Sequence, residues 1–183
     1  MTAAAPTFLR RRTLVLLALP ALVAFVLGAL VAHNGTSHPS RAHARAWTYT
    51  AGDRSFSVTY PAGWKAGSVG PTGAVIERAD HRGVVLVREH PAIKGSLAGV
   101  VKGLPRDLAK RFPDFRPVGA SVARLSTGPA VVYTFVRTKA NTVQTIVIAP
   151  AGKRSFTLEV VAPSGAHEAA RQAGQIVRSL SAR

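Results

Sequence analysis

The chain has 183 residues, no cysteine, and a formal net charge of +16 at pH 7. The missing thiols exclude disulfide staples, cysteine nucleophiles, thiolate metal sites and a lipidated cysteine anchor. Five of the 24 Lys and Arg residues precede Trp47 and all eight acidic residues follow it, so the part from Trp47 onward carries nineteen basic against eight acidic residues, a net +11. Arg outnumbers Lys 18 to 6 in an Ala-, Val- and Gly-rich chain, so coding bias accounts for part of this excess. The field it creates nevertheless favours anionic partners.

Residues 1–13 form a basic N-terminus that includes Arg10-Arg11-Arg12, and residues 14–32 form an apolar run without a charged side chain. Nineteen helical residues span about 28 Å, close to the hydrocarbon thickness of a bilayer. The arginines resist transfer through lipid, so the N-terminus is expected in the cytoplasm and everything after residue 32 outside it. The expectation is one transmembrane helix acting as a signal anchor. A cleaved signal followed by secretion is the alternative. It is disfavoured by the length of the run and by the distance to the Ala-x-Ala sites at Ala42-His43-Ala44 and Ala44-Arg45-Ala46. Arg11-Arg12-Thr13-Leu14 also resembles the centre of a twin-arginine export signal, with incomplete flanks. Residues 33–46 are polar, carry Gly35 and Pro39, and read as a flexible linker holding the domain roughly 20 Å from the membrane. His33, His38 and His43 recur in this linker, where a disordered chain offers no fixed metal geometry.

From Trp47 the pattern becomes that of short strands. Residues 47–49 and 56–60 alternate apolar and polar positions around the turn Gly52-Asp53-Arg54. Pro61-Ala62-Gly63-Trp64 then stops the second strand. Residues 74–77 and 84–88 flank Asp80-His81-Arg82-Gly83 as a hairpin. Leu97, Val100, Val101, Leu104, Leu108 and Phe112 follow with helical spacing behind Ser96 as N-cap, and Pro105 is expected to kink or split this helix. Further strands are predicted near 118–125, 130–137, 143–149 and 155–161. Ser164 is the expected N-cap of a last helix with Ala169, Ala173, Ile176, Val177 and Leu180 on its buried stripe. The fold class is α+β: an antiparallel sheet of about six or seven strands flanked by helices, occupying residues 47–183.

The segment Phe56-Ser57-Val58-Thr59-Tyr60-Pro61-Ala62-Gly63-Trp64 resembles the "F-x-h-x-Y-P-x-G-W" strand (h, apolar) of the PsbP-like/Mog-type superfamily. The late strands and the closing Ile176-Val177-Arg178-Ser179-Leu180 helix fit the same pattern, so the likeness covers nearly all of residues 47–181. It implies a PsbP-like α/β/α sandwich. Phe56, Tyr60, Pro61, Gly63 and Trp64 would then be a structural motif that fixes a corner and plugs the core. Members of that superfamily serve different ends, including secreted or membrane-anchored bacterial proteins of unassigned role, so the likeness implies a fold and a binding role rather than a reaction.

Chemistry-bearing motifs are scarce. Asp80, His81, Glu89 and His90 lie on one hairpin, but strand alternation sends such side chains to opposite faces, and an exposed polar turn is the expectation. His167, in the first turn of the last helix, is expected neutral and solvated. Neither a nucleophile elbow nor a phosphate-cradling Gly-rich loop occurs. No catalytic residue, metal or cofactor is expected, and a hydrolase is the least favoured reading. The basic residues Lys94, Lys102, Arg106, Lys110, Arg111 and Arg116 surround the first helix, with Lys102, Arg106 and Lys110 four apart. These positions form the candidate face for an anionic partner: an extracytoplasmic protein, lipid headgroups or a wall polymer. Nucleic acid is disfavoured by the expected compartment and by the lack of aromatics among the basic residues. A carrier of a small apolar or anionic ligand, held between sheet and helices, is the alternative function.

Overall fold

The computed structural model describes residues 45–183. The basic N-terminus, the apolar run at 14–32 and the linker up to residue 44 lie outside the described residues. Among the described residues no helix is long and apolar enough to cross a membrane.

Among the described residues ten strands and two helices follow in chain order: β1 (Ala46–Thr50), β2 (Phe56–Pro61), β3 (Trp64–Ser68), β4 (Gly73–Arg78), β5 (Val84–Pro91), α1 (Leu97–Arg111), β6 (Phe115–Leu125), β7 (Gly128–Arg137), β8 (Thr142–Ala151), β9 (Arg154–Pro163), α2 (His167–Arg178) and β10 (Ser181–Ala182). The expected sheet is present with seven strands in the order β3-β4-β5-β9-β8-β7-β6, and every pairing is antiparallel. The first two predicted strands do not join it. They form a separate three-stranded sheet, β1-β2-β10, in which the terminal Ser181 and Ala182 pair with Ser57 and Phe56.

Strand alternation divides the large sheet into two faces. Val85 and Val87 of β5, Val132 of β7, and Phe156, Leu158 and Val160 of β9 belong to the main core with Ala169, Ala173, Ile176 and Val177 of α2. Phe56 and Val58 of β2 enter the same core, where the Phe56 and Phe156 rings meet edge-on with centroids 5.6 Å apart. The alternate β7 residues Tyr133 and Phe135 point the other way and pack with Leu104 and Leu108 of α1. Helices therefore cover opposite faces, which gives the expected sandwich.

Two local readings need correction. The chain does stop β2 at Pro61, but Trp64 opens a new strand, because Gly63 takes a left-handed φ of 84° that reverses the chain at once. The last helix starts at His167 with Ala166 at the N-cap position and no side-chain cap. Ser164 is separated from it by Gly165, at φ 88°, and its amide donates to the Asn141 carbonyl at 2.9 Å.

Trp64 ties sheet to helix. It is 4% exposed, and its indole N–H donates to Gln172 Oε1 of α2 at 2.7 Å. The turn residue Gly83 lies beneath it, where an added Cβ would stand 2.8 Å from Trp64 Cη2 and 3.3 Å from the Ala169 Cβ. Ser179, just past α2, accepts the Thr59 amide on Oγ at 2.8 Å and joins the small sheet to the same helix. We expect Gly83→Ala to lower stability by about 1–3 kcal/mol in urea denaturation. Most of that cost should vanish in a Trp64→Leu background, where the clashing atoms are gone. An undiminished cost there would contradict this packing.

Candidate functional site

Ser96 starts α1 by accepting the Gly99 amide on its Oγ at 3.1 Å. Pro105 lies inside the helix but does not split it: α1 runs unbroken to Arg111. Proline removes one backbone donor and costs about 3 kcal/mol in a helix interior. Anchoring of the apolar side offsets that cost, since Leu108 is buried and Leu104 and Phe112 pack beside it on Phe135. An unbroken helix keeps Lys102, Arg106 and Lys110 on one side along about 12 Å of axis. All three are exposed. Arg106 lies 3.4 Å from Asp107 in a largely exposed pair, which contributes little. Lys102 and Lys110 have no carboxylate partner among the described residues.

The C-terminal end of α1 is fastened tightly. The Arg111 and Arg137 guanidinium carbons stand 5.1 and 4.2 Å from the Phe112 ring centre. Phe135 stacks on Phe112 at 6.0 Å and meets Phe115 at 5.2 Å. Asp114, 6% exposed, accepts from Arg137 Nε at 2.5 Å and from the Lys139 amide at 3.0 Å. Burial pushes the Asp114 carboxyl pKa up, but the Arg137 and Lys139 bonds together outweigh it and hold the group below its ordinary value.

This arrangement brings Lys102, Arg106 and Lys110 into one row along α1 with exposed Arg111 beside its end, whereas Arg116 stands opposite Val136 of β7 and so projects from the other face of the sheet. Lys94 is not brought into the row. It is exposed in the loop three residues before α1 begins, so the helix geometry that aligns the row does not extend to it. Arg124, outside the sequence-derived candidate face, is exposed farther along β6. Its only sequence signal is its place in an alternating strand, which does not reveal that the strand lies at a sheet edge.

The histidine candidates do not converge. His81 is exposed and lies 2.6 Å from Glu77, while Asp80 pairs with Arg78 at 3.3 Å. Glu89 pairs with Arg154 at 3.4 Å. His90 stands at the far end of β5, about 20 Å of strand away. Burial, helped by the Arg88 cation, lowers the His90 pKa against the opposing pull of Glu159 and Glu89. Among the described residues no three metal-ligating side chains cluster. A shallow depression of about 260 Å³ lies at the start of α2, lined by Arg78, Arg82, His167 and Glu168 among others. Glu168 is already engaged by Arg171 at 2.6 Å and Gln172 at 2.8 Å.

Seven antiparallel strands with helices on both faces match a solved structure, the cyanobacterial PsbP (CyanoP) of Synechocystis sp. PCC 6803, at a TM-score of 0.57, covering 82% of this chain and 99% of that one with 9% identity. The fold is PsbP-like. LpqN of Mycobacterium tuberculosis, a protein involved in cell envelope biogenesis, is also similar, with a TM-score of 0.50 over 76% of this chain and 91% of its own at 17% identity. No protein-family model and no curated protein matches the sequence. At these identities the likeness shows a shared PsbP-like fold alone, so site residues stand on this chain's own geometry.

The Asp114 carboxyl titrates lower in the folded chain than in the unfolded one. Its stabilising contribution is therefore complete above the ordinary carboxylate pKa of about 3.9 and is lost as pH falls through the folded value. In urea denaturation across pH, Asp114→Asn should lower the midpoint at neutral pH. The gap between the two proteins should close below about pH 4. A constant gap over that range would contradict the assignment.

Proposed function

We propose that the chain is a non-enzymatic, extracytoplasmic accessory domain that docks an anionic partner through the outer side of α1. The carrying observation is the uneven pairing of charge. All eight acidic side chains are engaged: six lie within 4.0 Å of an arginine, Glu77 lies 2.6 Å from the His81 ring, and Asp53 accepts the Ser55 amide and hydroxyl. The cations left over include Lys102, Lys110, Arg111, Arg116 and Arg124, which gather around α1 and β6. Close cations on a rigid helix add their fields, and an oppositely charged partner gains from all of them at once.

Two further observations support this reading. The aromatic packing of Phe112, Phe115 and Phe135 fills the space beneath the second half of α1, which favours a surface role over a ligand held between sheet and helix. The apolar run at 14–32 and its arginine flank favour a membrane-anchored setting. Work in the cell envelope by the mycobacterial protein of the same fold agrees with that setting.

Crosslinking and pull-down of the full chain from its own membranes, at low and high salt, tests the proposal. Recovery of the partner should fall about tenfold, the equivalent of ~1.4 kcal/mol, when Lys102, Arg106 and Lys110 are all changed to Glu. It should fall similarly at high salt, and Lys94→Glu alone should change it little. Recovery indifferent to salt and to the triple reversal would overturn the proposal.

A further inference from the structure

The outermost strand beside α1 carries a second feature. β6 is eleven residues long and ends the seven-stranded sheet, with β7 on one side and, among the described residues, no strand on the other. Long sheet edges are ordinarily blunted by proline, charge or a bulge, because unpaired amides and carbonyls recruit further strands. β6 has its proline and bulge only at its start, where Pro117 precedes a register shift at Val118. From Gly119 to Leu125 the pairing with β7 is regular, which leaves about 23 Å of unpaired edge. Val118 and Val122 on this strand are 62% and 74% exposed, and they are two of the three exposed large apolar side chains among the described residues.

We propose that the edge of β6 accepts an added strand from an acidic protein: an extended segment with an apolar middle and carboxylates at both ends. The inference rests on the anionic-partner reading and specifies what that partner presents. Arg116 and Arg124 lie at either end of the exposed valines, on opposite faces of the strand because of the register shift, and neither has a carboxylate partner among the described residues. Ala120 and Val122 stand opposite Tyr133 and Val131, so their side chains share the α1 side of the sheet. An incoming strand would set apolar side chains beside them and a carboxylate beside Arg124. Its backbone would supply the affinity and the end charges the register.

The same chemistry argues against a second copy of this chain. Antiparallel pairing of two β6 strands would gather Arg116 and Arg124 of both copies along one short ladder, with no carboxylate on β6 to offset them, and like charges brought together are destabilising. An acidic segment replaces that repulsion with attraction.

The test is hydrogen–deuterium exchange of the full chain in zwitterionic detergent. The probe is a blocked octapeptide with glutamate at both ends and valine alternating with threonine between them. Exchange across residues 119–125 should slow about tenfold at saturating peptide, since paired amides exchange only after opening. A peptide N-methylated on alternate residues, with the same charges and side chains, should give no protection. Equal protection by both peptides, or protection confined to α1, would overturn strand addition while leaving the charged docking face intact. Protection of 119–125 by the chain's own self-association, without peptide, would also overturn it in favour of a second copy. Failure of the anionic-partner reading itself would appear separately, as partner capture that ignores reversal of Lys102, Arg106 and Lys110.

Discussion

The buried contact between Asp114 and Arg137 decides where the surface chemistry of this domain sits. It closes the short link between α1 and β6, and Arg137 also covers the Phe112 ring that ends the helix. A carboxylate and a guanidinium taken out of water together must satisfy each other, and the Lys139 amide completes the set. With that corner fixed, the cationic side of α1 and the free edge of β6 lie side by side on one part of the molecule. Without it, the same residues would be spread over a helix and a strand with no set relation.

Charge pairing elsewhere makes the corner matter more. The acidic groups are spent on local work: Glu168 braces the start of α2 through Arg171, Glu89 holds Arg154 across two strands, and Asp53 shapes a turn. The hydrogen bond from Arg171 lowers the Glu168 pKa, and those from the Ser55 amide and hydroxyl lower that of Asp53, so both are fixed as anions within their own turns. Part of the positive excess, Lys102, Lys110 and Arg111 on α1 with Arg116 and Arg124 on β6, is thus left without a carboxylate partner among the described residues. Successive cations along α1 rise about 6 Å apart, inside the ~8 Å screening length at physiological salt, so a partner meets them as one field.

Much of this was legible in the sequence because the physics is local. Alternation in Phe156, Leu158 and Val160, the hairpin around Asp80 to Gly83, and the Ser96 cap each depend on a few neighbouring residues. The motif from Phe56 to Trp64 pointed to the PsbP-like fold for the same reason. Other elements depend on distant partners. Trp64 opens β3 only because β4 is there to pair with it, and Ser181 and Ala182 are too few to show any period. Pro105 argued for a break, but tertiary anchoring through Leu108 and Phe112 overrides a local preference that no window of sequence could weigh. The place of β6 at the edge, and with it the meaning of Val122 and Arg124, is a property of the whole sheet order.

Which side of the domain meets its partner distinguishes a docking role for α1 from a purely structural one. A photoreactive residue placed at Ala109 on α1, or at Gln175 on α2, probes the two exposed helix surfaces without removing a charge. In native membranes the Ala109 position should yield a partner adduct that high salt suppresses, and the Gln175 position should yield none. An adduct from Gln175 with none from Ala109 would put the partner on α2 and rule out docking through α1.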